Sequence, residues 1–69
     1  MIAEKLKDKL MEISDNDIDF AKGVMTNAQS DKCRQDILDT IEEHPEVSKN
    51  RLLLMSVALG EWEKENNMR

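Results

Sequence analysis

A chain of 69 residues with fifteen acidic and ten basic side chains, net charge −5, has room for one core and not for two. Its single Cys and single His exclude an intramolecular disulfide and fall short of the four ligands of a structural zinc. Tight helical packing or self-association must then supply the stability that a core this small lacks. The acidic balance, without a local cluster of Lys and Arg, disfavours both nucleic-acid phosphates and an anionic membrane surface.

Two glycines, one proline, one phenylalanine and no tyrosine argue against strands and tight hairpins. Glu, Lys, Leu, Met and Ala favour helix instead. The expected fold class is all-α: a single small domain over residues 1–69, built as a compact bundle of about four helices near 2–13, 15–28, 31–43 and 49–66.

In the first helix Ile2, Ala3, Leu6, Leu10 and Ile13 fall on one side, opposite Glu4, Lys5, Asp8 and Glu12. The segment MIAEKLKDKL is charged at every turn and lacks the continuous apolar stretch of a secretory signal. With the lone thiol, this points to a reducing, cytoplasmic setting. Next comes ISDNDIDF, where Ser14 has the place of an N-cap and Asp15 and Asp17 suit the positive end of a helix dipole. Ile13 and Ile18 have the spacing of a hydrophobic staple. These signals start the second helix near Asp15. Its apolar set is Ile18, Ala21, Val24, Met25 and Ala28, with Phe20 at the margin. Gly23 in its middle is either tolerated or, with Ala21 and Ala28, opens the way for a close helix crossing.

Ser30 followed by Asp31 caps a third helix with the stripe Cys33, Ile37, Ile41 and His44, and Leu38 beside it; Pro45 ends it. Val47 and Ser48 then read as staple and cap for the fourth helix. That helix contains RLLLMSVALGEW, residues 51–62. Leu52, Met55, Ala58, Leu59 and Trp62 form one stripe, yet Leu53, Leu54 and Val57 extend apolar cover around most of the cylinder. A helix apolar nearly all round is normally buried. Here it is either the central helix of the bundle or partly covered by another chain.

Chemistry is sparsely signalled. His44 suits the negative end of the third helix as a C-terminal cap. It shares a face with Cys33 but lies about 16 Å along the axis from it, out of reach of a catalytic dyad. Cys33 reads as a small core residue. Carboxylate pairs such as Asp15 with Asp19 and Asp36 with Asp39 read as solvated faces, and DNDID fails as a calcium loop because Phe20 and Thr26 stand where Gly and Glu are needed. Met11 and Met55 are candidate contact residues. No cofactor, metal or small-molecule substrate is expected, and no membrane span: the longest nearly apolar run, Leu52 to Gly60, falls far below ~20 residues.

ILDTIEEHPEVSKNRLLL, Ile37 to Leu54, resembles the first two helices of winged helix-turn-helix regulators, with a Pro-containing turn between an amphipathic helix and a capped one. That resemblance implies a third, groove-reading helix after a turn at Leu59-Gly60. The remaining EWEKENNMR is too short for a recognition helix and wing and is rich in glutamate, so the resemblance extends to helix packing alone. The functional expectation is a non-enzymatic interaction or regulatory module, a homodimer or a binder of another protein, with Leu53, Leu54, Val57 and Trp62 at the interface. The alternatives are a DNA-associated regulator presenting Lys49 and Arg51 to phosphate, and an acidic inhibitor that mimics nucleic acid.

Overall fold

The chain is all-α. A computed structural model describes residues 1–67, and among them α1 spans Ile2–Ile13, α2 Ile18–Asn27, α3 Asp31–Glu43 and α4 Lys49–Asn67, with no strand. One apolar cluster joins all four: Leu6 and Leu10 from α1, Phe20, Ala21 and Val24 from α2, Cys33, Ile37, Leu38 and Ile41 from α3, and Leu52 from α4, with Ala28 beside them. The apolar residues of the predicted α1 and α3 faces turn inward, wholly or in part, as their periodicity requires, while His44, counted in the α3 stripe, is exposed. Phe20, placed at the margin by its spacing, is buried, and Ile18 is exposed. Among the described residues no helix is long and apolar enough to cross a membrane.

The junction between α1 and α2 departs from expectation. Ser14 does not cap α2; it closes α1, its hydroxyl donating to the Leu10 carbonyl at 2.6 Å and accepting from the Asp17 N–H at 3.2 Å. Asp15 and Asn16 then take φ of 56° and 68°, in the left-handed region. The Asn16 N–H returns to the Met11 carbonyl at 2.8 Å, the six-to-one bond of a Schellman ending. Asp and Asn tolerate this conformation better than other residues with a Cβ. Chain reversal therefore consumes Asp15 and Asn16, and the N-cap moves to Asp17, which accepts the Phe20 N–H at 3.1 Å. The Ile13–Ile18 staple is lost with that shift.

The Asp17 carboxylate also meets Lys49 Nζ at 3.3 Å. The Phe20 N–H first, and then Lys49, hold its carboxyl below the ordinary carboxylate range. A carboxyl with a depressed folded-state pKa contributes stability above its unfolded pKa, and that contribution is lost as pH falls through the folded value. Asp17→Asn, which keeps the capping oxygen and removes the charge, should therefore show a smaller loss of urea-denaturation midpoint between neutral pH and acid than the wild type.

The other caps follow the sequence. Ser30 accepts the Cys33 N–H at 3.1 Å, and Ser48 accepts the Arg51 N–H at 3.2 Å. Arg34 Nε donates to the Ala28 carbonyl at 2.7 Å and pins the tight α2–α3 turn. His44 is the C-cap of α3 through its backbone N–H to Thr40. Its exposed ring lies with Nδ1 3.5 Å from Glu46 Oε1.

α2 and α4 run parallel and close. Asp17 faces Lys49, Gly23 faces Leu53, and Asn27 faces Ser56 and Gly60, in rising order along both helices. Gly23 therefore lies at the close crossing. The two glycines are unequal. A Cβ on Gly60 would stand 2.5 Å from the Asn27 carbonyl oxygen, whereas one on Gly23 would stand 3.3 Å from Leu53 Cδ2, the end of a flexible side chain. Gly→Ala inside a helix returns roughly 1 kcal/mol of propensity, while overpacking costs typically ~1–3 kcal/mol. Gly23→Ala should hold or slightly raise the thermal midpoint, and Gly60→Ala should lower it, because backbone must move.

Candidate interaction surface

α4 divides its apolar residues between two duties. Leu52 and Ser56 are fully buried, and Met55 and Leu59 pack partly against the core. Leu53 faces α2 and is half-buried. Ser56 bridges the helices, donating to the Leu53 carbonyl at 2.7 Å and accepting from Asn27 Nδ2 at 3.3 Å. On the opposite side Leu54 is 71% exposed, Trp62 54% and Val57 41%, with Ala58 exposed among them.

This arrangement corrects two sequence expectations. Ala58 and Trp62 are not part of the core stripe; the inward face runs through Leu52, Ser56, Leu59 and Glu63, and polar Ser56 hid it from an apolar count. Leu53 does not belong with the exposed set either, since the close approach at Gly23 draws it into the α2–α4 contact. Leu54, Val57 and Trp62 are all exposed; Val57 lies on the flank toward α2, where it lines a cleft with Asn27 and Gly60, and Trp62 lies on the other flank of Leu54.

Beside Leu54 lies a shallow groove between the end of α3 and the start of α4, lined by Thr40, His44, Glu46, Val47, Ser48, Arg51, Leu54 and Met55. Its lining surface is mostly apolar. Met55, singled out by the sequence as a candidate contact residue, lines it; Met11 is partly buried against the core. Val47, read from the sequence as a staple residue, belongs to this groove as well, and nothing in the local pattern marked it.

The expected chemical candidates are accounted for by packing. Cys33 is buried, with Sγ 3.5 Å from Glu63 Oε2 and 3.7 Å from the Leu59 carbonyl oxygen. Among the described residues no group of three or more His, Cys, Asp or Glu is arranged to hold a metal ion. The turn at Leu59-Gly60 that a recognition helix would need does not form: α4 continues through Gly60 to Asn67. Gly60 is instead where the α2 backbone approaches. Lys49, one of two residues assigned to phosphate in the DNA-associated alternative, pairs with Asp17. Comparison with protein-family models, with curated proteins and with solved structures gives no match.

Proposed function

We propose that this chain is a non-enzymatic interaction or regulatory module that works as a homodimer in the cytoplasm, with α4 as its recognition element. The observation that carries the reading is the outward face of α4, where Leu54, Val57 and Trp62 remain in water on a chain that is 36% charged. Contiguous exposed apolar side chains rimmed by polar ones mark association sites more often than chance exposure. Trp is among the residue types enriched at interface hot spots. A second copy is the economical occupant, because twofold pairing buries the same face on both chains at once. The cytoplasmic setting rests on a lone, buried, unpaired Cys33.

Light scattering after size exclusion, across a dilution series, tests the reading. The expected result is a mass of two chains at high concentration that falls toward one on dilution. A mass of one chain at every concentration would overturn it.

A further inference from the structure

We infer that the two copies pair antiparallel along α4, about a twofold axis near Ala58, with Trp62 of each copy seated in the other's groove between Val47, Leu54 and Met55. The inference rests on the homodimer reading above and adds the direction and register of the contact.

Three observations carry it. First, the outward seam of α4 runs Arg51, Leu54, Ala58, Glu61, Glu65, in alternating steps of three and four, the spacing by which one helix presents a line of residues to another. The seam is electrically asymmetric. Its N-terminal end carries Arg51 and its C-terminal end Glu61 and Glu65, all three exposed. A parallel pair would set Arg51 against Arg51 and glutamate against glutamate. An antiparallel pair about Ala58 sets Arg51 of each copy level with Glu65 of the other, with Glu61 about one turn away, and also opposes the helix dipoles.

Second, Ala58 is the midpoint of α4, which spans Lys49–Asn67. Specific interfaces bury at least ~1,200 Å² in total, or about 600 Å² per chain. That is roughly an eighth of the 4936 Å² accessible surface of this small protein. A helix pair gains area with the length of its overlap, and antiparallel overlap is greatest when the axis passes through the midpoint. A small side chain at the axis lets the backbones come close.

Third, Trp62 and Met55 are two turns apart and lie on the same flank of the seam. A twofold axis perpendicular to the plane of an antiparallel pair keeps each flank on its own side while reversing height. Trp62, four residues beyond Ala58, therefore arrives beside Leu54, four residues before it, where the apolar groove opens. An indole that is 54% exposed and a groove without an internal occupant are brought together by one operation.

Charge exchange and a cross-link test this. Arg51→Glu alone, and Glu61→Lys with Glu65→Lys, should each weaken the dimer by about tenfold, since every reversal acts twice in a twofold pair. The triple variant should restore wild-type association, with circular dichroism verifying that each variant is helical. Ala58→Cys should form a disulfide-linked dimer under mild oxidation, where wild type, with Cys33 buried, does not. Trp62 emission should shift to the red on dilution of the wild type as the indole leaves the groove. A wild-type dimer without rescue by the triple variant and without the Ala58→Cys cross-link would overturn the antiparallel register while leaving the homodimer standing. A wild type that is monomeric throughout would overturn both.

Discussion

Leu54→Glu combined with Val57→Glu should give a fully helical monomer. In the single chain both side chains already meet water, at 71% and 41% exposure, so the new carboxylates pay little desolvation there. Surface changes of this kind usually stay within about 0.5 kcal/mol each. A glutamate at 57 also stands one turn before Glu61, adding repulsion of a few tenths of a kcal/mol. Between two copies the outcome differs in scale. The pair would have to enclose four extra carboxylates, and an unpaired buried charge costs several kcal/mol. Association should therefore be abolished while the fold survives. Circular dichroism and light scattering on the same sample decide the matter: retained helix with the mass of one chain is the expected result. A variant still dimeric would place the interface elsewhere, and loss of helix would place these residues in the core.

Leu52→Ala should have the opposite character, a large loss of stability. Leu52 is the fully buried aliphatic side chain of α4 in the core shared with α1, α2 and α3, where Leu53, Met55 and Leu59 pack only partly. Truncating a buried leucine costs ~2–5 kcal/mol through lost transfer energy and the cavity left behind. A domain near the lower end of the usual ~5–15 kcal/mol range loses a large share of its stability to that change. Leu54→Ala, two residues on, should change the stability of the dissociated chain by less than about 0.5 kcal/mol. Urea denaturation at concentrations below dimer formation should separate the two by several-fold. Equal effects at positions 52 and 54 would mean that α4 is rotated from the orientation described.

The run RLLLMSVALGEW shows what can be read from a linear pattern and what cannot. Helix content, the bounds of α1 and α3 and the caps at Ser30 and Ser48 were legible, because each depends on residues a few positions apart: apolar spacing near 3.6, a hydroxyl before the first turn, a proline after the last. The α1–α2 junction was misread for a local reason. Ser14 can serve the helix before it or the one after it, and without a glycine at the reversal nothing flagged Asp15 and Asn16 as left-handed. The outward face of α4 posed a different problem. A helix apolar around most of its circumference carries almost no periodic signal, so Leu52, Leu53 and Leu54 look alike in sequence.

By itself, then, the sequence determined the all-α class, the number of helices, the net negative charge and an α4 apolar around most of its circumference, either central to the bundle or partly covered by another chain. Tertiary structure alone decided which of them face water. That choice is made at the α2–α4 contact, where Gly23 receives Leu53, Gly60 receives the Asn27 backbone and Ser56 is buried against Asn27. Close approach requires the smallest side chains to face the neighbouring helix, and their position on the cylinder fixes its rotation. Once Gly60 and Ser56 turn inward, Leu54, Val57, Ala58 and Trp62 must turn outward.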